Sequence, residues 1–270
     1  MKGLLIYDPV GKARNEWFIA RLIESASTLG HELELIVYDG GKLPCDKVDF
    51  AIIRTIDPDI NKHFEERGIP TFNNAKTAEI ANDKWLTYLF AKELGISVMN
   101  TKKPASIEDA TSSFDSPFVI KAVDGHGGSE VFLADSKQKC EEIFTKIDIK
   151  KSICQEMCSE PGIDMRVYML GGEVLAAAKR SSLSDFRSNF SLGGKAEIVA
   201  VPKEVKEVLG KVYTALGCDF VGVDFIRHAG EWILNEIEDV VGTRMLYSLT
   251  DIDAARVYVE YVINKLENRN

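Results

Sequence analysis

Short apolar runs alternate with segments of helical periodicity over the first 72 residues of the chain. The apolar runs predict strands at 3–7, 33–38, 50–54 and 70–72. Apolar side chains recur at helical spacing across 15–29, where Gly30 ends the helix, and a second helix is expected near 60–67. This regular alternation is typical of an α/β unit with a mainly parallel sheet.

The pattern changes beyond residue 74. A single helical stretch at 74–94 is followed by a Ser/Thr-rich connection, so a boundary is expected between 100 and 116. The segment SPFVIKAVDGHGGSEVFLA then contains two apolar strands around a glycine-rich turn, which predicts a hairpin. The rest of the chain predicts a helix at 203–216, a hairpin at 220–238 and a final helix at 253–266.

Composition narrows the class of protein further. Of the 270 residues, 45% are hydrophobic and 28% are charged, with a mean hydropathy of -0.08, which is typical of a soluble globular protein. The net charge of -9 argues against binding to nucleic acid or to an anionic membrane surface. No apolar stretch is long enough to cross a bilayer. Five scattered cysteines and a start that fits a strand better than a secretion signal favour the cytoplasm.

The glycine-rich turn follows a strand that contains a charge. Glycines at 125, 127 and 128 are often needed in a turn for backbone reasons alone. Lys121, however, lies in the middle of the apolar strand 118–123, where an unpaired ammonium group is costly to desolvate. A lysine beside glycines that let backbone N–H groups approach a ligand is a candidate phosphate clamp. The spacing matches neither a Walker A loop nor a dinucleotide fingerprint.

The hairpin at 220–238 contains three acidic residues whose carboxylates are expected to cluster. Side chains two residues apart share a face of a strand, so Glu236 and Glu238 are expected to lie with Trp232 and Leu234. Acidic side chains on a solvated face are the ordinary explanation. Both strands are apolar on both faces, however, and buried carboxylates that include Asp224 would repel one another without a cation. Hard oxygen ligands favour magnesium or manganese bound together with phosphates, and hence a nucleoside triphosphate.

In their order along the chain, these motifs resemble those of the ATP-grasp superfamily, and within it the RimK-like carboxylate–amine ligases of the ribosomal-protein-S6 modification type. The segment NDKWLTYLFAKELGI is similar to the family helix that carries the first ATP lysine, here Lys84. The segment PFVIKAVDGHGGSEV is similar to the strands and glycine loop of the family's lid, which makes Lys121 the second ATP lysine and places Gly125, Gly127 and Gly128 over the nucleotide.

The resemblance assigns further residues to the site. From QEMCSEPGIDMR it places Glu156 and Met157 beside the adenine and Asp164 within reach of the nucleotide. From DFRSNFSLGGKA it places Arg187, Ser188 and Asn189 near the phosphates and the acyl intermediate, with Arg187 and Asn189 as the catalytic residues. From GVDFI and NEIE it implies that Asp224, Glu236 and Glu238 hold magnesium or manganese.

The sequence departs from the family's pattern near its end. The family usually has Glu-x-Asn in the last metal strand, whereas Glu238 occupies the second of those positions here. The Pro-Gly that often follows is replaced by DVVGTRM, in which Arg244 is a candidate for bidentate recognition of a substrate carboxylate. A surface salt bridge is the more common role of such an arginine.

The resemblance implies an α/β fold of the ATP-grasp type: an N-terminal parallel domain at 1–75, a helix and connection at 76–115, a lid at 116–158 and a catalytic subdomain at 159–270. It implies a ligase that uses ATP and Mg²⁺ or Mn²⁺ to join a carboxylate of a small molecule or peptide to an amino-acid amine, such as that of glutamate. An acyl phosphate would form, ADP and phosphate would be released, and the enzyme could be a homo-oligomer.

Two alternatives remain open from the sequence. One is a ligase of the lysine-biosynthesis type that acts on a carrier-protein carboxylate, which would need a basic docking surface. The other is a module that binds ATP as a sensor or for a partner without ligating anything, which the Glu238 departure favours. The presence of Lys84, Lys121, Asp224 and Glu236 argues for catalysis.

Overall fold

Three β-sheets organise the chain in the computed structural model, which describes residues 1–125, 128, 130–182, 185–187 and 195–268. The first sheet is parallel, as the apolar pattern predicts, and its strands are β1 (Lys2–Tyr7), β2 (Glu32–Val37), β3 (Phe50–Ile53) and β4 (Thr71–Phe72), in the spatial order β2-β1-β3-β4. Between them lie helices α1 (Pro9–Arg14), α2 (Glu16–Thr28) and α3 (Pro58–Glu65). The apolar pattern does not predict α1, because this short helix has no buried residue.

The single helix expected at 74–94 is wrong, since this segment forms two helices. These are α4 (Ala75–Ala81) and α5 (Lys84–Glu93). Asp83 separates them because its carboxylate accepts hydrogen bonds from the backbone N–H groups of Trp85 and Leu86, as an N-cap residue does. The new helix start leaves the backbone N–H of Lys84 free to donate to the carbonyl of Val123 over 2.9 Å, so α5 is attached to the second sheet.

The second sheet is antiparallel and contains the predicted glycine hairpin. Its strands are β5 (Thr101–Lys102), β6 (Phe118–Ala122), β7 (Val131–Ala134) and β8 (Ser152–Glu156), in the order β5-β8-β6-β7. Helices α6 (Ile107–Ser113) and α7 (Lys137–Phe144), which were not predicted, cover one face. Their buried side chains pack with Ile120 and Cys154 in a small core. The pairing of β6 with β7 confirms the hairpin.

The third sheet is antiparallel and extends from residue 163 to residue 238. Its strands are β9 (Ile163–Leu170), β10 (Glu173–Ser181), β11 (Lys195–Ile198), β12 (Phe220–His228) and β13 (Glu231–Glu238), in the order β11-β10-β9-β12-β13. The associated helices are α8 (Lys203–Leu216), α9 (Arg244–Leu249) and α10 (Ala254–Glu267). The hairpin at 220–238 and the helices at 203–216 and 253–266 are confirmed. None of the described helices is both long and apolar enough to cross a bilayer.

The end of the described chain packs against its beginning. Val259 and Val262 of α10 are buried in one hydrophobic cluster with Leu5 of β1 and Leu22 of α2. Asn73, just after β4, also joins the first sheet to the third, because its side-chain amide donates to the carbonyls of Phe220 and Asp239 and accepts from the backbone N–H of Asp219. These contacts hold the carboxyl edge of the first sheet beside the third sheet.

Candidate active site

A cleft of about 1020 Å³ lies where the three sheets meet. Its walls include the loops after β1 and β3, the glycine turn between β6 and β7, the end of β8, and polar side chains of β9, β10 and β13. Ligand pockets commonly form at such junctions and at the carboxyl edge of parallel strands. Every site residue expected from the sequence that the structure describes, except Asp224, appears in the cleft wall; Asp224 lies buried beside Glu236 and Glu238.

Lys84 reaches across the cleft from the first turn of α5. Its ammonium group donates a hydrogen bond to the carbonyl of Gly125 in the glycine turn and lies 3.8 Å from a carboxylate oxygen of Glu236. A Cβ atom on Gly125 would lie 2.9 Å from Glu130 Oε2, so a larger residue there would require the Glu130 side chain to move. Gly128 has a φ of 77°, in the left-handed region that glycine adopts without strain. Lys84 therefore lies between the turn and the acidic strand.

Lys121 is buried in β6, as expected, and its ammonium group points at two amide oxygens. Its Nζ donates to Gln155 Oε1 over 2.7 Å and to Asn235 Oδ1 over 3.0 Å. Gln155 is oriented by donating its own amide to the hydroxyl of Thr101. Neither partner carries a negative charge, and burial lowers the pKa of Lys121 to about 8. The two neutral amides accept hydrogen bonds from the ammonium group but do not neutralise its charge, so Lys121 can still attract an anion.

A phosphate bound to Lys121 is expected to make nucleotide affinity depend on pH. The phosphate charge would raise the pKa of Lys121 above its free value of about 8, so binding must take up a proton at higher pH. Below pH 8 the lysine is already protonated and the affinity for ADP should be nearly flat. Above pH 8 the affinity should fall by up to about tenfold per pH unit. Calorimetric titrations with ADP across this range would test the slope, which Lys121→Met should abolish.

Glu156 and Met157 follow one another at the end of β8 and both line the cleft. The backbone N–H of Glu156 donates to the carbonyl of Asn100, while its side chain is exposed. The preceding residue, Gln155, holds Lys121. The two residues expected beside the adenine thus directly follow Gln155, the hydrogen-bond partner of Lys121. Their contact with adenine stays a prediction.

A bulge in β13 corrects the expected faces of the acidic hairpin. Asp224 of β12 pairs with Glu236, whereas the next residue, Phe225, pairs with Leu234, so Asn235 is an extra residue in the ladder. Glu236 and Glu238 consequently face the cleft, and Leu234 lies in the hydrophobic core on the opposite face. The expectation that these two glutamates share a face with Trp232 and Leu234 is therefore wrong. The same bulge directs Asn235 toward Lys121.

The carboxylates of Asp224, Glu236 and Glu238 do come together. One carboxylate oxygen from each of Asp224, Glu236 and Glu238 lies within 4.8 Å of the others. Magnesium binds oxygens at about 2.1 Å, so ligands on opposite sides of one ion lie about 4.2 Å apart. A small closure of this cluster would match that distance, and its donor set of hard oxygens suits magnesium or manganese. The residues therefore fit a divalent cation.

Two arginines that the sequence did not single out neutralise this cluster. Arg166 of β9 donates to both oxygens of Asp224 over 2.7 and 2.6 Å and to Glu238 over 2.6 Å. Arg180 of β10 donates to Asp224 over 2.8 Å and to both oxygens of Asp164 over 2.5 and 2.8 Å. Both are charges within largely apolar strands, the same signal that identified Lys121. Asp164 lines the cleft as a partner of Arg180, and its contact with nucleotide stays a prediction.

The arginines set the protonation of the acidic residues. Burial alone would raise the pKa of Asp224, but the guanidinium groups of Arg166 and Arg180 outweigh it and hold the pKa at about 2. Burial raises the pKa of Glu238 to about 7, against the opposing charge of Arg166 and with a further contribution from Asp224 and Glu236. Asp224 is thus ionised at neutral pH, whereas burial raises the pKa of Glu238 toward neutrality.

Arg187 connects the glycine turn with the loop after β10. Its guanidinium group pairs with Asp185 over 2.7 Å and donates to the carbonyl of Gly128 over 2.9 Å. The pairing with Asp185 raises the pKa of Arg187. Gly127, Ser188 and Asn189, the other residues expected in these two loops, lie outside the residues that the structure describes. Their assignments stay predictions from the sequence.

The RimK-like ATP-grasp domain model matches residues 81–262, which is more than half of the chain. The chain belongs to the RimK-like ATP-grasp family. The "Probable alpha-L-glutamate ligase" of Pasteurella multocida (strain Pm70) is 30% identical over 214 residues, covering 76% of this chain and 68% of that protein. A protein of the same name from Methanococcoides burtonii is 27% identical over 281 residues and covers 94% and 93%.

A solved structure shows the same fold. The D-alanine–D-alanine ligase of Bacillus anthracis, in complex with ATP, superposes with a TM-score of 0.76 at 17% identity, over 100% of this chain and 98% of that one. The predicted α/β fold of the ATP-grasp type is confirmed. Family membership makes the protein an ATP-grasp ligase, as the motifs had indicated.

Proposed function

We propose that the protein uses ATP to join a carboxylate to the amine of an amino acid, glutamate being the leading candidate, through an acyl phosphate. The cleft supports this proposal because it brings two lysines, a cluster of three carboxylates and a glycine turn to one place. The substrate carboxylate would attack the γ-phosphorus of ATP and displace ADP. The amine would then attack the acyl carbon, expel phosphate and lose a proton, which leaves an amide.

Lys84 and Lys121 would hold the phosphates of the nucleotide. Lys84 approaches from α5 beside the glycine turn, and Lys121 approaches from the floor formed by β6. Two fixed positive charges at a site shielded from water would stabilise the negative charge that accumulates during phosphoryl transfer. Positioning and electrostatics are the main contributions that proteins make to this chemistry.

Asp224, Glu236 and Glu238 would hold a magnesium ion, which when bound neutralises phosphate charge and orients the transferred group. Arg166 fixes the carboxylate of Asp224 through two parallel hydrogen bonds and also holds Glu238. Among the residues that the structure describes, the one ion pair of Glu236 is a long one with Lys84, at 3.8 Å. We infer that Glu236 is the most adjustable of the three ligands and that the arginines fix the other two.

The glycine turn would act as the lid of the site. Lys84 donates to Gly125 and Arg187 donates to Gly128, so both sides of the turn are fastened to charged residues of the cleft. A lid held in this way would exclude water from the acyl phosphate and protect it from hydrolysis. Arg187 would also stabilise charge on the reacting group, together with Asn189.

The observation that carries the proposal is the carboxylate cluster beside Lys84 within the cleft. Incubation with magnesium ATP and individual amino acids is expected to release ADP and phosphate in equal amounts, in a manner that depends on one amino acid and a carboxylate acceptor. Mass spectrometry should detect the condensed amide. Release of AMP and pyrophosphate would contradict the acyl phosphate, and ATP binding without turnover on any substrate would contradict the ligase.

A further inference from the structure

The β8–β9 connection, residues 157–162, joins the second sheet to the third beside the cleft. Its first two residues and Gly162 at its end line the cleft, and Glu156 directly precedes it. Ser159 and Glu160 lie in its middle, outside the cleft wall. Contacts made by these two residues can therefore fix the path of the connection without occupying the cleft.

The turn between β12 and β13 holds the middle of this connection. The backbone N–H of Ala229 donates to Ser159 Oγ over 2.7 Å, and the backbone N–H of Ser159 donates to His228 Nδ1 over 3.2 Å. The backbone N–H of Gly230 donates to Glu160 Oε1 over 3.0 Å. Two consecutive residues of the connection are thus joined by three hydrogen bonds to three consecutive residues of the hairpin.

The backbone of this turn directs two donors outward. Ala229 and Gly230 have φ values of 50° and 79°, both in the left-handed region. A two-residue hairpin turn of this kind requires that conformation, although it is unfavourable for a residue with a Cβ atom such as Ala229. The ladder ends where His228 pairs with Glu231, so the N–H groups of the two turn residues lie beyond it, and both donate to the β8–β9 connection. The turn therefore presents two fixed donors to the connection.

Arg227 of β12 orients the side chain of Glu160. Its Nε lies 3.7 Å from Glu160 Oε2, while Glu160 Oε1 accepts the hydrogen bond from Gly230. The guanidinium group of Arg227 also lies 5.0 Å from the centre of the Trp232 ring in β13. Both carboxylate oxygens of Glu160 are therefore directed at the hairpin.

The end of the connection is attached to a different element. The backbone N–H of Gly162 donates to the carbonyl of Phe186 over 2.8 Å, and its carbonyl accepts from the backbone N–H of Ser182 over 2.9 Å. Gly162 has a φ of 76°, and a Cβ atom there would lie 2.6 Å from the carbonyl oxygen of Ser182, so this close approach suits glycine. The connection is thus held in its middle by the β12–β13 hairpin and at its end by the loop after β10.

We propose that Ser159 and Glu160 are positioning residues for the nucleoside half of ATP. Through the β12–β13 turn they hold Glu156 and Met157, the residues expected beside the adenine, in place before the nucleotide binds. Neither would touch the nucleotide. A segment that is ordered in advance binds more tightly, because less conformational entropy is lost on binding. The inference rests on the proposed function, because it needs ATP in the cleft with the adenine beside Glu156 and Met157.

Removal of either side-chain contact should weaken binding of the nucleoside half alone. In Ser159→Ala and Glu160→Ala, the Kd for ADP measured by calorimetric titration with magnesium is expected to rise about 3- to 10-fold, the effect of losing one hydrogen bond. The Kd for tripolyphosphate should change by less than about twofold, because the lysines and the acidic cluster would hold the phosphates. A general loss of structure would weaken the binding of both ligands together.

Conservative variants and a control separate these hydrogen bonds from other effects. Glu160→Gln keeps an oxygen that accepts from the backbone of the turn, and Ser159→Thr keeps the hydroxyl that does so. Both variants should therefore bind ADP within about twofold of the wild type. Glu231→Ala is the control, because Glu231 is exposed in the same hairpin and, among the described residues, no hydrogen bond or ion pair joins it to the connection.

The outcomes distinguish this inference from the proposed function. During turnover, the KM for ATP should rise in Ser159→Ala and Glu160→Ala as the Kd for ADP does, with kcat changed by less than about twofold. Weaker binding of ADP but not of tripolyphosphate in these variants, with no amide formed by the wild type, would support the positioning role and contradict the proposed function. Unchanged ADP affinity in both variants of a protein that forms the amide, or parallel losses for ADP and tripolyphosphate, would overturn the positioning role and leave the ligase intact.

Discussion

Asp224→Asn is expected to lower turnover on the order of 10³-fold. The substitution removes a carboxylate of the metal cluster whose pKa the two arginines hold at about 2, and it keeps the size of the side chain. The sequence alone suggests only a modest loss of folding stability. The structure predicts a larger loss, on the order of 3 kcal/mol, because Asp224 is 3% exposed and balances both Arg166 and Arg180.

Asp219→Asn is the matched control for this variant. Asp219 is also a buried aspartate of the third sheet region, 1% exposed, and it pairs with Lys265 and accepts a hydrogen bond from Tyr261 outside the cleft. Its substitution should cost a similar free energy of unfolding and leave kcat unchanged. Steady-state kinetics and denaturant unfolding of both variants provide the comparison. Wild-type turnover in a folded Asp224→Asn protein would remove Asp224 from the metal site.

The sequence predicts an element well where local rules decide both of its ends. Helix α8 follows Pro202 and ends before Gly217, whose φ of 60° is the left-handed conformation typical of a helix terminus. The helical pattern at 74–94, in contrast, continues through Asp83, and only the hydrogen bonds of its side chain show that a new helix begins there. Apolar periodicity detects buried faces. It does not detect a cap between two consecutive helices whose buried faces continue the same pattern.

The alternation of residues along the strand could not predict which face of the hairpin each acidic side chain occupies. A period of two assumes an unbroken ladder, and the extra residue at Asn235 reverses the faces of everything after it. The bulge is a property of the pairing between β12 and β13. The sequence therefore identified Glu236 and Glu238 as candidate ligands through their residue type and the family resemblance, while their faces required the structure.

The sequence also could not show which arginine pairs with which aspartate in the site, because the partners lie far apart along the chain. Arg180 meets Asp164 because β9 and β10 are antiparallel, and Arg166 meets Asp224 because β9 also pairs with β12. A charged residue inside an apolar strand indicates that a partner exists, but only the strand register identifies which one. Lys121 was interpretable earlier because the adjacent glycine turn suggested its ligand.

Arg180→Met is expected to destabilise the fold by about 3–5 kcal/mol. The Arg180 side chain is 5% exposed and bridges Asp164 and Asp224, so its removal leaves two buried carboxylates with one partner fewer each. Arg180→Lys should recover little of this loss, because an ammonium group cannot supply the parallel bonds that Nε and Nη2 make to Asp164. Denaturant unfolding at neutral pH measures both free energies.

A double variant tests whether this loss arises from the pairing of Arg180 with Asp164. In the double variant Asp164→Asn with Arg180→Met, one of the two carboxylates that pair with Arg180 is removed together with it, so the double variant should lose less stability than the sum of the two single variants, by about 1–3 kcal/mol. Additive losses would mean that Arg180 stabilises the sheet through its apolar stem and not through Asp164. Because Arg180 also fixes Asp224, the single variant should lose magnesium-dependent turnover even under conditions where it remains folded.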